Sequence, residues 1–189
     1  MTTVAILLAA GASRRFGEAD KLLAPFRGRA LIGHAAQAVR QCGAEVCLAV
    51  VTSDAVAAQL EGFDFVRPPE APPAQSDSLR AGIAAAQVRG ATRVLVALGD
   101  MPFVDAAILK AVLARATADS ASAVTDGARR APPACFPMSQ FSALLHVNGD
   151  RGASGLIRAL APSALVSVPD AVLIDIDTPL TLAQYATCP

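Results

Sequence analysis

The sequence predicts a single α/β domain built on a mostly parallel β-sheet with helices on both faces. Short apolar runs alternate along the chain with segments of helical periodicity, as repeated strand–helix–strand units require. The first run, residues 4–10, is apolar throughout, which is typical of a strand buried on both faces. The length of 189 residues suits one domain, so we expect a single unit over residues 1–189.

The first half of the chain is predicted to alternate between strands and helices. We expect strands at 4–10, 45–52, 63–67 and 92–98. Helices are expected at 30–41, from a Ser53 cap to residue 60, and from a Ser76 cap to residue 89. The segment 68–73 (PPEAPP) is predicted to be a loop, because proline is excluded from helix interiors and central strands.

The second half is less regular. Asp105 is expected to cap a helix that ends near residue 116. The remaining predicted strands are 121–125, 134–136, 165–168 and 172–176, and the remaining predicted helices are 139–146, 154–160 and 178–185.

Composition excludes several classes of protein. Hydrophobic residues make up 53% and charged residues 17%, so the chain can bury itself and is not disordered. The 16 basic and 16 acidic residues balance without a basic cluster, so nucleic acid is not an expected partner. The apolar runs are shorter than a membrane span requires, and the N-terminus reads as a strand rather than a signal peptide. The four cysteines form no C-x-x-C pair, and we expect a cytoplasmic protein.

A glycine-rich, cationic loop follows the first predicted strand at residues 11–17 (GASRRFG). Gly11 and Gly17 allow backbone N–H groups to approach a phosphate chain, and Arg15 and Lys21 can neutralise its charge. The loop contains neither the G-x-G-x-x-G dinucleotide pattern nor a P-loop. It therefore predicts a phosphate site of another kind.

A second loop, residues 99–102 (GDMP), follows the fourth predicted strand. It places the Asp100 carboxylate just beyond a buried strand, where a Mg²⁺ ion that bridges phosphates takes an oxygen ligand. If the first and fourth strands are neighbours, both loops border the crevice where doubly wound sheets bind ligands.

Four segments resemble, in chain order, motifs of one enzyme family. Residues 8–17 (LAAGASRRFG), followed by Lys21, resemble the signature of the Rossmann-like nucleotidyltransferases. Residues 99–102 and 175–179 (DIDTP) are similar to motifs of its molybdenum-cofactor branch, and residues 149–153 (GDRGA) to a segment of its cytidylyl-transferring members. The chain thus resembles MobA/MocA-like nucleotidyltransferases, most of all the molybdenum cofactor cytidylyltransferases.

The resemblance implies an Mg²⁺-dependent enzyme that transfers CMP from CTP to the terminal phosphate of molybdopterin and releases pyrophosphate. The guanylyl-transferring relatives usually carry Asn-x-Asn where this chain has Asp175 and Asp177, which favours CTP over GTP. A molybdoenzyme or its maturation chaperone is the implied protein partner.

The resemblance also implies roles for individual residues. Lys21, Arg15 and Asp100 would be catalytic, with Arg15 on the terminal phosphates and Lys21 on the α-phosphate of the nucleotide. Asp100 and Asp177 would hold Mg²⁺, and Asp150 and Asp175 would bind the acceptor. The implied nucleotide-binding residues are Leu8, Ala9, Ala10, Gly11, Ala12, Ser13, Gly17 and Ser78.

Two departures from the family pattern keep alternatives open. Residues 131–133 (APP) stand where the cytidylyl family commonly has Gly-His-Pro, and Leu180 and Thr181 stand where acidic residues usually follow the last motif. The alternatives are the same chemistry with GTP or on another phosphorylated acceptor, such as a phosphosugar or phospho-alcohol. A molybdopterin carrier without catalytic activity is a third.

Overall fold

The computed structural model describes residues 2–11, 16–17, 20–69, 73–149 and 152–186. Within these residues, the strands are β1 (Thr3–Ala9), β2 (Pro25–Phe26), β3 (Arg29–Ala30), β4 (Val46–Val51), β5 (Asp64–Val66), β6 (Arg93–Leu98), β7 (Ser122–Thr125), β8 (Arg130–Pro137) and β9 (Leu165–Ser167). The α-helices are α1 (Leu31–Arg40), α2 (Asp54–Ala57), α3 (Gln75–Val88), α4 (Ala106–Arg115), α5 (Phe141–Leu145), α6 (Ser154–Arg158) and α7 (Pro179–Ala186).

Seven of these strands form one sheet in the order β5-β4-β1-β6-β8-β7-β9, and β2 and β3 form a separate hairpin. The strands β5, β4, β1 and β6 are mutually parallel, β8 runs antiparallel to both β6 and β7, and β9 is parallel to β7. The mostly parallel α/β sheet predicted from the sequence is confirmed. The pairing of β1 with β6, in which Leu8 lies opposite Leu98, confirms that the first and fourth predicted strands are neighbours.

Apolar side chains pack on both faces of the sheet because successive residues of a strand point to opposite sides. From β1, Leu7 packs in the cluster that includes α1, α2 and α4, and Ile6 packs in the cluster that includes α3, α5 and α6. Helix α3 approaches the sheet closely at Gly82, where a Cβ atom would lie 2.8 Å from Ile6 Cγ2 and 3.2 Å from Val50 Cγ2. No helix in the described part of the chain is long and apolar enough to cross a membrane.

Two sequence predictions about local structure are wrong. Helix α3 begins two residues earlier than a Ser76 cap would allow, since Ala74 is its N-cap residue and Ser76 is buried. The Asp77 carboxylate accepts a hydrogen bond from the Ala74 N–H at 2.9 Å. The segment 172–176 does not form a strand, because it has no strand partner. It continues from a 3₁₀ turn, Asp170–Leu173, as irregular chain that bonds through the Ile176 N–H to the Asp100 carbonyl at 2.9 Å.

Candidate active site

The loops that follow β1 and β6 open at the same edge of the sheet. Lys21 begins a short 3₁₀ turn, Lys21–Leu23, whose cap is the Asp20 carboxylate, accepting a hydrogen bond from the Leu22 N–H at 3.0 Å. Asp100 follows β6 by two residues. Asp177 lies on the irregular segment that leads into α7.

These three charged side chains meet at one point. The Lys21 ammonium nitrogen donates to Asp100 Oδ2 at 2.7 Å and to Asp177 Oδ1 at 2.6 Å. The Lys21 side chain is only 11% exposed, against 22% for Asp100 and 36% for Asp177. One positive charge therefore lies between two carboxylates at the floor of an open crevice.

The electrostatics of this group follow from burial and charge. Burial by itself lowers the pKa of Lys21, because it penalises the ammonium. The charges and hydrogen bonds of Asp100 and Asp177 outweigh burial and raise the pKa of Lys21 above its ordinary value. Desolvation raises the pKa of the Asp175 carboxyl, and the negative charges of Asp177 and Asp100 raise it further. Carboxylates therefore outnumber the single ammonium group among these described side chains of the crevice.

Backbone contacts hold the Asp100 loop in place. The Gly99 N–H donates to the Leu8 carbonyl at 3.0 Å, and the Asp100 carbonyl accepts from Ile176. A Cβ atom on Gly99 would lie 2.5 Å from Ile32 Cδ1 and 3.2 Å from the Leu8 carbonyl oxygen, so this position has no room for a side chain. The loop is therefore pressed between β1, α1 and the segment that carries Asp177.

The donor set fits a hard divalent cation. Both carboxylates already direct an oxygen at one cationic centre, the Lys21 ammonium. Among the described residues, no group of three or more His, Cys, Asp or Glu side chains could hold a metal ion. Mg²⁺ suits such a site, since it commonly binds through one or two carboxylates and completes its shell with phosphate oxygens and water.

A mostly apolar recess adjoins the crevice on the α3 side of the sheet. It measures about 440 Å³, counted with the solvent space at its mouth. Leu8 and Leu98, at the ends of β1 and β6, form part of its wall together with Gln75 at the start of α3. Gln75 also packs against Gly152, where a Cβ atom would lie 3.2 Å from the Gln75 Oε1 atom.

The structure brings together Lys21, Asp100 and Asp177, and places the other described candidates around them. The end of β1 leads into the crevice, with Ala9 and Ala10 buried and Gly11 exposed. Gly17 has a φ of +74°, a conformation that favours glycine. Ser78 is buried within α3, and Asp175 is exposed beside the charged group. Ala12, Ser13, Arg15 and Asp150 lie outside the described residues.

Sequence reasoning did not identify the aromatic residues that pack together on the segments after Lys21, Asp100 and Asp177. Phe26, Phe103 and Tyr185 come from three separate segments and carry no common spacing. The dipeptide 27–28 (RG), between two short strands, was a detectable signal of a two-residue hairpin, although glycine followed arginine rather than asparagine.

The chain is similar to a known protein family and to named relatives. The MobA-like NTP transferase domain family matches residues 5–168 of the chain. The purine catabolism protein PucB of Bacillus subtilis is 27% identical over 190 residues, covering 93% of this chain and 92% of PucB. The nicotine blue oxidoreductase of Paenarthrobacter nicotinovorans is 37% identical over 101 residues, or 51% of this chain and 48% of that protein.

Solved structures share the fold over nearly the full length. Rv0371c of Mycobacterium tuberculosis H37Rv superimposes with a TM-score of 0.84 and 27% identity, covering 100% of this chain and 98% of that chain. A complex of Rv0371c with manganese superimposes with a TM-score of 0.83 and 26% identity, covering 100% of both chains. The nucleotidyl transferase Mth528 of Methanothermobacter thermautotroptrophicus has the same fold, with a TM-score of 0.85 at 22% identity over 98% of this chain and 96% of that chain.

Proposed function

Because this chain belongs to the MobA-like NTP transferase domain family, we propose that it transfers CMP from CTP to the terminal phosphate of molybdopterin and releases pyrophosphate. The observation that carries the proposal is the convergence of Asp100 and Asp177 on the Lys21 ammonium at the crevice edge of the sheet. This arrangement supplies what a nucleotidyl transfer needs, namely cation ligands and a fixed positive charge beside the phosphates.

In the proposed reaction, an oxygen of the acceptor phosphate attacks the α-phosphorus of the nucleotide. The bond between the α-phosphorus and the bridging oxygen breaks, and its electron pair leaves with pyrophosphate. Asp100 and Asp177 would hold a divalent cation, which would supply positive charge to the phosphate oxygens. Lys21 turns from these carboxylates to the α-phosphate, where charge grows in the transition state, and Arg15 binds the terminal phosphates.

The choice of CTP and of molybdopterin rests on sequence motifs. Asp175 and Asp177 replace the Asn-x-Asn of guanylyl-transferring relatives, and residues 149–153 resemble the cytidylyl-transferring members. Ser78 would contribute to nucleotide binding, and Asp150 and Asp175 would face the acceptor. A molybdoenzyme or its maturation chaperone would receive the product.

How steep the nucleotide preference is depends on the size of the base for which the pocket is shaped. A pocket shaped for a pyrimidine excludes guanine by steric overlap, whereas a purine pocket underfilled by cytosine loses about 1–3 kcal/mol. We therefore expect a steep preference for CTP, measured as kcat/KM for CTP and GTP with molybdopterin as acceptor. Equal rates, or a preference for GTP, would contradict the cytidylyl assignment and leave the nucleotidyl transfer intact.

The full test is pyrophosphate release with each of the four NTPs, with and without molybdopterin, using Asp100→Asn as the inactive control. Release that requires both CTP and molybdopterin supports the proposal. Release with a phosphosugar or phospho-alcohol instead would reassign the acceptor. Tight molybdopterin binding without release would indicate a carrier.

A further inference from the structure

A group of contacts beside the charged site joins helix α7 to the β2–β3 hairpin. The Phe103 ring packs edge-on against Phe26, with ring centroids 5.9 Å apart, and against Tyr185, with centroids 5.7 Å apart. The Arg27 guanidinium lies 5.0 Å from the centroid of the Phe103 ring and 5.5 Å from that of Phe26. Its Nε atom donates a hydrogen bond to the Tyr185 carbonyl at 2.9 Å. We call these four residues the aromatic clasp.

The clasp connects the three chain segments that supply the charged group. Phe26 and Arg27 follow the Lys21 turn, Phe103 follows the Asp100 loop, and Tyr185 lies on the helix that follows Asp177. Ile176, the residue before Asp177, is fully buried in the same apolar cluster as Phe26. The segment that carries Asp177 is therefore packed against the clasp. A displacement of α7 would therefore move Asp177 relative to Asp100.

The backbone of Arg27 adopts a conformation that is uncommon for a residue with a long side chain. Arg27 and Gly28 form the two-residue loop of the hairpin and have φ angles of +44° and +85°. Positive φ at both positions is the pattern of a type I′ turn, which favours Asn-Gly and strains a longer side chain at the first position. Among the described residues, Arg27 is the one non-glycine residue with positive φ. Strain of this kind persists where other contacts offset it, and here those contacts go to the rings and to α7.

We propose that the aromatic clasp positions Asp177 for divalent cation binding, and that Arg27 is its key positioning residue. This inference rests on the proposed function, in which Asp100 and Asp177 hold the cation. Asp177 lies on irregular chain, so its position depends on the segments that flank it: the Ile176 bond to the Asp100 carbonyl on one side and the docked α7 on the other. Loosening α7 widens the range of positions of the carboxylate and lowers its affinity for a cation.

The test variant is Arg27→Asn, which places the residue preferred by the turn at this position and removes the guanidinium. The matched control is Arg29→Asn, since Arg29 is also exposed on the hairpin but bonds to Gln37 instead of α7. Mn²⁺ binding is measured by electron paramagnetic resonance of the free ion, and thermal stability by circular dichroism. Emission from Tyr185 reports on the clasp directly, because the chain has one tyrosine and no tryptophan.

For Arg27→Asn we expect a midpoint of unfolding equal to or above that of the wild type, and an altered Tyr185 emission. We expect Mn²⁺ binding to weaken about 3- to 10-fold, because only part of the free energy of the lost cation–π contacts and hydrogen bond is transmitted to the cation site. Arg29→Asn should match the wild type in all three measurements. Tyr185→Phe should retain Mn²⁺ affinity, because the clasp uses the ring and the main-chain carbonyl, whereas Tyr185→Ala should lose it.

The inference and the proposed function fail in different ways. If Asp177→Asn weakens Mn²⁺ binding but Arg27→Asn does not, the clasp inference is overturned and the cation site stands. Weaker Mn²⁺ binding in Arg27→Asn with a matching fall in thermal stability would also overturn it, because the residue would then be merely structural. If neither Asp100→Asn nor Asp177→Asn changes Mn²⁺ binding, the cation site and the clasp inference are both wrong.

Discussion

Three charged side chains in the crevice compensate one another. Lys21 is almost fully buried, and an unpaired ammonium there would be costly. Asp100 and Asp177 supply the compensating charge, so the contacts that stabilise Lys21 also bring together the two carboxylates that we propose as ligands for a divalent cation. In the proposed function, the phosphates of a bound nucleotide would provide a new partner for Lys21.

Asp100→Asn is expected to keep the fold and to lower turnover about 10²-fold or more, because a carboxamide has the same volume but lacks the charge that holds the cation. The assay is pyrophosphate release at low Mg²⁺, with folding checked by circular dichroism. Asp119→Asn, at an exposed position, is the matched control. Turnover near that of the wild type in Asp100→Asn would contradict the assignment.

Lys21 and Arg15 are expected to affect different kinetic constants. Lys21→Ala should mainly lower kcat, because charge on the α-phosphate grows in the transition state. Arg15→Ala should mainly raise KM for the nucleotide, since a guanidinium fork binds terminal phosphate oxygens in the ground state as well. Steady-state kinetics give kcat and KM for both variants. If both variants change only KM, the division of roles is refuted.

One residue, Gly82, determines how closely helix α3 packs against the sheet. Gly82 faces β1 and β4 at a distance that leaves no room for a methyl group. Close approach brings Leu79 and Ile83, on the same face of the helix, into the apolar cluster that contains Ile6. The position of α3 in turn sets Gln75 and the wall of the recess beside the crevice.

Gly82→Ala is therefore expected to destabilise the protein by about 1–3 kcal/mol, the usual cost of overpacking a tight core. Gly155→Ala is the matched control, because Gly155 lies in α6 with no atom within 4 Å of the added methyl group. Alanine favours the helix there, so we expect a change between zero and about 1 kcal/mol of stabilisation. Chemical denaturation measures both, and equal stabilities for the two variants would show that α3 can shift without cost.

Both apolar clusters share one sheet, which joins the strands from the first and the last thirds of the chain. Strands β1 and β6 contribute side chains to the cluster on each face. Loss of packing on one face would remove the support of the other, so the fold is expected to unfold as one cooperative unit. The number of unfolding transitions therefore tests the predicted single domain over residues 1–189.

Calorimetry should accordingly show one thermal transition. Saturating CTP with Mg²⁺ should raise its midpoint, because a ligand that binds only the folded state stabilises it by about 2.7 kcal/mol at a concentration of 100 Kd. The Asp100→Asn variant should show a smaller rise. Two separate transitions would contradict the single domain. A midpoint that nucleotide and cation do not change would contradict the nucleotide site.

Local sequence patterns determined the parallel strands and the place of Asp100, because each depends on neighbouring residues alone. A continuous apolar run buries itself in a sheet wherever it lies, and a carboxylate two residues past such a run reaches the edge. The motif resemblance added Asp177 to the candidates, beside the Lys21 already identified next to the cationic loop. Their meeting across 156 residues of sequence is a property of the folded chain.

The tertiary structure decided the rest, and residues 172–176 show why. Their mostly apolar, β-branched composition suits a strand, yet a strand forms only where a neighbouring edge offers hydrogen-bond partners. Here the Asp100 loop offers one partner instead, and the segment places Asp177 in the crevice. The sequence does not predict the proposed roles of Arg27, Phe103 and Tyr185 either. The contacts on which these roles depend come from segments far apart in the sequence.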